Sequence, residues 1–431
     1  MRKGTTVHDP LADRQAAHEL EPEDLDARLR WARERGHPLY LWQNVSPDEW
    51  RAALREIERV TSAVLRGETA AGLDAETGAG ERALGIAAFT SGMGPLLGRW
   101  IEDGMLRAGA GASALFALHL EHGRDRAERM RYALRTAVAV LDAAGIAATL
   151  LKGAHTAYAY FPEPGVRPMS DLDLLVAARD RARAEAALAA AGHVLVPGSR
   201  LARPYRSDWR PPDSPVSVRS LELHHRDDPY TVDLHDSLEL NFFGVRRVRY
   251  GTPDEGRRVP ARWAGAHATV LAQPLLTAYQ AAHASQGLHN LTLIRIVELA
   301  LLLRPVQGRA FAWNSLAATI RGAGAERFVW PAFELVERLA PGTVDDAFHD
   351  RLTRAAPPRL RAVVAGLTPG TAQRLERVAL DERFMWAATP IERVRRAADM
   401  LLPAGGSFHR LRRIYLDRAL RLLRGRVTLR G

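Results

Sequence analysis

Two aspartates, Asp171 and Asp173, stand two residues apart in the run M-S-D-L-D-L-L-V. If this run is a strand, residues two apart face the same way, so the carboxylates lie side by side about 7 Å apart along one face. Leu172 and Leu174 then point into a core behind them. Neither acid can be buried without a partner, and the pair suits a hard divalent cation that also holds phosphate oxygens. Upstream, the apolar run Ile146–Leu151 ends in Lys152-Gly153, where the pattern turns helical. A helix start with a glycine favours close approach of a phosphate. A third acid is needed to complete a two-metal site or to take a proton from an attacking hydroxyl. Asp233 in T-V-D-L-H is the first candidate, with His235 on its face, and Glu222 is the second.

Those residues need a frame. Helix, strand, helix, strand, helix and a hairpin predict an α+β fold, a small mixed sheet with helices against it. The strands are 146–151, 171–176 and 193–196, with a hairpin of 217–225 and 230–235 turning at Arg226–Pro229. Ala177–Ala191 reads as a helix closed by Gly192, and Pro197–Pro215, rich in Pro, Arg and Ser, as a loop. We divide the chain into an N-terminal helical region and linker (1–83), a helical segment (84–144), a core (145–250) and a C-terminal helical domain (265–431). Residues 1 to about 20 read as a frayed start and Glu21–Gly36 as a helix. A second helix starts at Ser46-Pro47-Asp48-Glu49 and runs to Val64, and Gly67–Gly80 reads as the linker. The helical pattern from Leu84 to Leu141 is expected to break near Gly109–Gly111 and again at Gly123.

Composition narrows the function classes. There is no cysteine, which removes disulfides and thiolate chemistry and fits a reducing compartment. No secretion-signal core opens the sequence and no apolar run approaches the ~20 residues of a membrane span, so a cytoplasmic protein without membrane association is expected. The segment Ser407–Gly431 carries eight arginines against one acid, Asp417. Leu411, Ile414, Tyr415, Ala419 and Leu422 recur there at helical spacing, which favours a docked amphipathic helix over a nucleic-acid-binding tail. Among 60 basic residues only Lys3 and Lys152 are lysine. A lysine kept beside Gly153 points to a place where a compact charge serves and a broad guanidinium does not.

Taken together, L-L-K-G-A, Arg167 with M-S-D-L-D-L-L-V, and V-D-L-H resemble the polymerase-β-like nucleotidyltransferases, and more narrowly a poorly characterised bacterial nucleotidyltransferase family. The likeness extends to G-M-G-P-L-L-G-R-W (92–100) and L-L-P-A-G-G-S-F-H-R-L-R-R-I-Y (401–415). It implies Asp171, Asp173 and Asp233 as ligands of one or two magnesium ions, and Lys152 and Gly153 near the triphosphate of an NTP substrate, with Arg167 and Ser170 as further nucleotide contacts. The acceptor, a small molecule, peptide or saccharide, is not implied. Ala154 replaces the serine usual after the glycine in the wider superfamily, the span from Gly153 to Asp171 is long, and Asp236 follows the histidine where an aromatic is common.

Other readings compete. Asp173 could pair with Arg167 as a surface salt bridge, worth ~1 kcal/mol or less. His155 reads as a helix-surface residue, and His283, Arg295 and Glu298 as packing or surface, with Arg295 a possible cleft residue. His224, His225 and His235 suggest a transition-metal cluster, but adjacent strand histidines face opposite ways. His235-Asp236 suggests a His-Asp phosphohydrolase, whose pair belongs on a helix rather than an alternating strand. The alternative from another class is a catalytically silent nucleotide-binding or scaffolding protein of the same fold.

Overall fold

The computed structural model describes residues 45–68, 71–73, 78–196, 205–214, 229–251, 257–305, 310–372 and 382–401. The sheet that positions the acids is mixed and seven-stranded, in the order β10-β11-β3-β4-β7-β6-β5. Its strands are β3 (Thr149–Leu150), β4 (Asp171–Leu175), β5 (Val194–Leu195), β6 (Arg206–Arg210), β7 (Thr231–His235), β10 (Arg258–Pro260) and β11 (Thr269–Leu271). Short pairs lie outside it: β1 (Ala71–Leu73) runs parallel to β2 (Leu106–Ala108), and β8 (Glu239–Phe242) pairs with β9 (Arg246–Arg249). The α+β class expected from the sequence is the class of the structure.

The alternation in β4 and β7 decides what each face carries. Leu172, Leu174, Val232 and Leu234 are essentially inaccessible and join one apolar core. Burying each contributes about 1.5–3 kcal/mol, which locks the register, because a one-residue slip would expose all four. That core is completed by Met130, Leu134, Val138 and Leu141 from the helix α4 (Ala110–Ala143). The opposite face, with Asp171, Asp173, Asp233 and His235, is covered by α7 (Leu275–Gln286) and α8 (Leu293–Leu302). Before α4 in chain order come α1 (Pro47–Leu65), α2 (Gly78–Ser91) and α3 (Gly94–Glu102), and between α4 and α7 come α5 (Gly153–Ala159) and α6 (Arg181–Ala190).

Helix α1 begins where the Ser46 box predicts. The Ser46 hydroxyl accepts from Glu49 N at 3.2 Å and the Glu49 carboxylate accepts from Ser46 N at 2.6 Å. This helix is not isolated: Leu54, Ile57 and Val60 share one large core with Phe333 and Leu339 of α10 (Glu326–Leu339), the helix after α9 (Trp313–Gly322). Ser62 Oγ donates to Leu339 O at 2.6 Å.

Four expectations need correction. The span read as a linker holds β1, and the span read as a loop, 197–215, holds β6, whose R-S-D-W-R alternates and is hidden by its Pro/Arg-rich surroundings. Strand β7 has both edges taken, by β4 and β6. The hairpin partner expected for it, 217–225, lies outside the described residues, as do Glu222, His224, His225, Glu21–Gly36 and the arginine-rich segment 407–431. Finally, α4 runs unbroken through Gly123. Glycine is there for contact: a Cβ would meet Gly165 O at 2.3 Å and Pro95 Cβ at 3.0 Å. Gly123→Ala should therefore destabilise the fold by about 1–3 kcal/mol through overpacking, seen as a lower melting temperature, although alanine is the better helix former. An unchanged or raised melting temperature would show that the contact yields freely.

Candidate active site

The side-by-side pairing of β4 and β7 builds the site. They run parallel, with Asp171 opposite Thr231, Asp173 opposite Asp233 and Leu175 opposite His235. Each of Asp171, Asp173 and Asp233 offers an oxygen within 4.8 Å of the others. Asp233 is inaccessible, Asp173 is 2% exposed and Asp171 is half-buried. Like charges opposite one another on a sheet are destabilising, so this face must recruit cations.

It draws two cations and a neutral histidine from three elements. Lys152, the residue before α5, reaches Asp173 Oδ1 at 2.6 Å, and His235 Nε2 reaches the same oxygen at 2.8 Å. Burial alone would raise the Asp173 carboxyl, but the Lys152 ammonium and the His235 hydrogen bond hold it well below the usual range. Burial lowers His235, so the ring is neutral and Nε2 carries the proton it donates. On Asp233, Thr231 Oγ1 donates to Oδ1 at 3.0 Å, and Arg206 NH2 stands 2.5 Å from Oδ2 without making a hydrogen bond to it. Burial and then the charges of Asp173 and Asp171 push Asp233 up to about 8, against the pull of Arg206.

Lys152 takes φ +47° and ψ −133°, a conformation rare for a residue with a Cβ. Such strain costs on the order of 1–3 kcal/mol and collects at functional positions. Its carbonyl accepts from His155 N at 3.0 Å and Thr156 N at 2.8 Å, which anchors α5. Gly153 packs tightly: a Cβ would lie 2.9 Å from Met169 Cγ and 3.1 Å from Arg167 NH1. Its small size thus lets the 167–169 segment close onto the helix start. Ala154 is buried in the sheet core, so a serine hydroxyl at this position would meet apolar side chains.

Of the nucleotide contacts implied by resemblance, Ser170 is exposed immediately before Asp171. Arg167 does not pair with Asp173. It donates to Glu298 on α8, NH2 to Oε2 at 3.0 Å and Nε to Oε1 at 3.3 Å. His155 is buried rather than on the surface, T-shaped against Tyr160 and lowered to about 4 by burial. Glu298 is not a surface residue either: it is 3% exposed and accepts from Thr156 Oγ1 and, at 3.4 Å, from Gln280 Nε2. Arg295 NH2 lies 2.7 Å from His283 Nδ1. Burial lowers His283 well below its ordinary range, which leaves Nδ1 free to accept.

Sequence reasoning missed Arg206, Asp208, Arg126 and Glu298. Arg206 and Asp208 sit on β6, Asp208 in register with Asp233, and Arg206 Nε donates to Asp208 Oδ1 at 2.5 Å. Arg126, 2% exposed on α4, donates at 3.3 Å to both Met169 O and Pro229 O, tying down the chain just before β4 and before β7. The signal available for Glu298 was a lone acid inside the apolar helix run L-I-R-I-V-E-L-A-L-L.

A family described as an uncharacterised nucleotidyltransferase matches residues 88–341, more than half of the chain. The chain belongs to this family. No curated protein and no solved structure matches it. In this nucleotidyltransferase family member the matched span takes in the whole acid face and both covering helices. Among the described residues no helix is long and apolar enough to cross a membrane.

The donor set fits a divalent magnesium-like ion. All three donors are hard carboxylate oxygens, Asp171 has no side-chain partner among the described residues, and Asp233 Oδ2 is a buried acceptor without a hydrogen bond. Burial first, and then the charges of Asp173 and Asp171, raise the Asp233 carboxyl, so a cation beside it would favour the ionised, ligating form.

The pH dependence follows. Asp233 binds its proton more tightly folded (about 8) than unfolded (3.8), so this stabilisation is full below about pH 4 and is lost as pH rises through about 8. The lowered histidines His155, His193, His235 and His283 act with the opposite sign, gaining stability as their unfolded forms lose protons, and they are common to any Asp233 variant. Between pH 7 and 8 the metal-free protein should therefore lose about 1 kcal/mol of stability relative to Asp233→Asn, read by denaturant titration of both in EDTA. Parallel pH dependences in the two proteins would assign the effect elsewhere.

Proposed function

We propose that the protein transfers a nucleoside monophosphate group from an NTP to an acceptor hydroxyl or phosphate, releasing pyrophosphate, as a bacterial cytoplasmic enzyme of the polymerase-β-like superfamily. The observation that carries this reading is the meeting of Asp171, Asp173 and Asp233 on one face of β4 and β7, with oxygens within 4.8 Å. These three side chains would hold one or two magnesium ions. Bound magnesium would neutralise the phosphates and favour attack at the α-phosphorus.

The rest falls to the chain's own groups. Lys152 and Arg167 each have one carboxylate partner, Asp173 and Glu298, at 2.6 and 3.0 Å, and stand on the two segments that Gly153 lets close together. They would hold the triphosphate in line, with the Ser170 hydroxyl beside them. Asp233, protonated near neutral pH in the metal-free protein, would give up its proton when a cation binds beside it, and its carboxylate would then accept the acceptor proton. The acceptor oxygen then bonds to the α-phosphorus as the bond to the β-phosphate oxygen breaks, and pyrophosphate leaves. Helices α7 and α8 roof the acid face, so water is kept from it while the acceptor is oriented.

A screen of the four NTPs with magnesium, read as pyrophosphate release in the presence of candidate acceptors, tests this. Asp171→Asn should lower turnover by about a thousandfold with the melting temperature unchanged, since Asp171 is half-buried and has no side-chain partner among the described residues. Asp173→Asn should lose activity and also destabilise by about 3–5 kcal/mol, because the buried Lys152 charge is left uncompensated. Magnesium-nucleotide binding without pyrophosphate release would favour a silent binding protein instead. A normal rate in Asp171→Asn would sink the metal reading.

A further inference from the structure

Arg206 is the one guanidinium placed directly against the three clustered acids among the described residues, and nothing in the reaction just outlined uses it. It projects from β6 on the site face, in register with His235 across the strand pair. Two contacts hold it, and they differ in kind. Its Nε donates to Asp208 Oδ1 at 2.5 Å, a formed hydrogen bond. Its NH2 stands 2.5 Å from Asp233 Oδ2, yet that oxygen receives no hydrogen bond. The second contact is attraction without alignment, whereas the first is a tether. The side chain is 12% exposed and Asp233 is fully buried, so the contact closes off the oxygen from solvent.

A divalent ion shared by Asp171, Asp173 and Asp233 would compete directly with this guanidinium. Two positive groups on one carboxylate repel strongly at low dielectric, and the poorly aligned contact is the one that yields. Anchored through Nε to Asp208, the guanidinium would keep its NH1 and NH2 edge free, a planar fork that matches phosphate oxygens. The incoming nucleotide brings such oxygens to the same place as the metal.

We infer that Arg206 is a phosphate-binding residue parked on Asp233, which exchanges that carboxylate for the nucleotide's phosphates when metal and nucleotide arrive. Asp208 is then the positioning residue that keeps the fork beside the site during the exchange. This rests on the nucleotidyltransferase reading and deepens it, assigning a ligand group that lies on a strand away from the Lys152–Asp173 segment.

The exchange predicts opposite effects on two affinities, which a merely structural arginine would not produce. Manganese binding to the protein alone is measured by electron paramagnetic resonance, and binding of α,β-methylene analogues of ATP, GTP, CTP and UTP with magnesium by calorimetry. Arg206→Gln should bind manganese about tenfold more tightly, because its competitor is gone, and the magnesium-analogue complex about tenfold more weakly, because a charged hydrogen-bond donor is lost. Arg206→Lys keeps the charge and guards against a folding defect. It should bind manganese like the unaltered protein but still bind the analogue weakly, since a point charge cannot hold Asp208 and a phosphate together. Both affinities moving the same way in Arg206→Gln, or full analogue affinity in Arg206→Lys, would overturn the exchange while leaving the enzyme reading intact. An unaltered protein that binds neither manganese nor any analogue would overturn both.

Discussion

The structure is organised around a repulsion. Asp173 and Asp233 face each other across a parallel strand pair, at a depth where neither has water to share its charge. In a sheet built only for stability, this register would be selected against. Here it is enforced from behind, because Leu172, Leu174, Val232 and Leu234 cannot leave the core without inverting both strands. Apolar burial on one face thus maintains electrostatic strain on the other, and the cations around the cluster are consequences of that strain.

The compensation is unequal, and the inequality has chemical meaning. Asp173 has two donors on one oxygen and stays ionised, while Asp233 has an unaligned guanidinium and a threonine hydroxyl and is raised to about 8. Two neighbouring carboxyls pushed in opposite directions are the usual basis for dividing roles between a permanently charged group and a proton-transferring one. The second layer shows the same logic. Glu298 gathers Arg167, Thr156 and Gln280, so a helix of the C-terminal region is coupled both to α5 and to the 167–169 segment that packs on Gly153. Arg126 does the corresponding work from beneath, holding the chain where β4 and β7 begin.

What the sequence disclosed follows from how local each determinant is. Asp171 and Asp173 were readable because a strand's two-residue period makes their shared face a matter of counting. The Ser46 cap was readable because its four residues bond only to one another. Asp233 needed one assumption, that its alternating run lies beside β4, and the structure places it there. Arg206 and Asp208 were concealed because β6 is five residues long in a proline-rich span, and its strand character comes from pairing with β7 rather than from its own composition. Gly123 misled in another way. It read as a helix break, whereas it is small because Gly165 and Pro95 press against it, and that pressure is invisible at single-residue range. His155 was assigned outward because a polar residue on a helix is normally solvated, which fails when its helix is packed over.

The retention of lysine at position 152, in a chain with 60 basic residues and only two lysines, now has a physical account. Three demands coincide there. The backbone carries a positive φ that turns the side chain toward the sheet. The target, Asp173 Oδ1, is shared with His235 Nε2, so the cation must leave room for a ring on the same oxygen. The space is closed, with both Lys152 and Asp173 almost fully buried. A guanidinium would need a coplanar approach to both carboxylate oxygens and would displace either the histidine or the oxygen left open toward Asp171 and Asp233. A compact ammonium satisfies one oxygen and leaves the other available, and a carboxylate that must serve a salt bridge and a metal site at once requires that asymmetry.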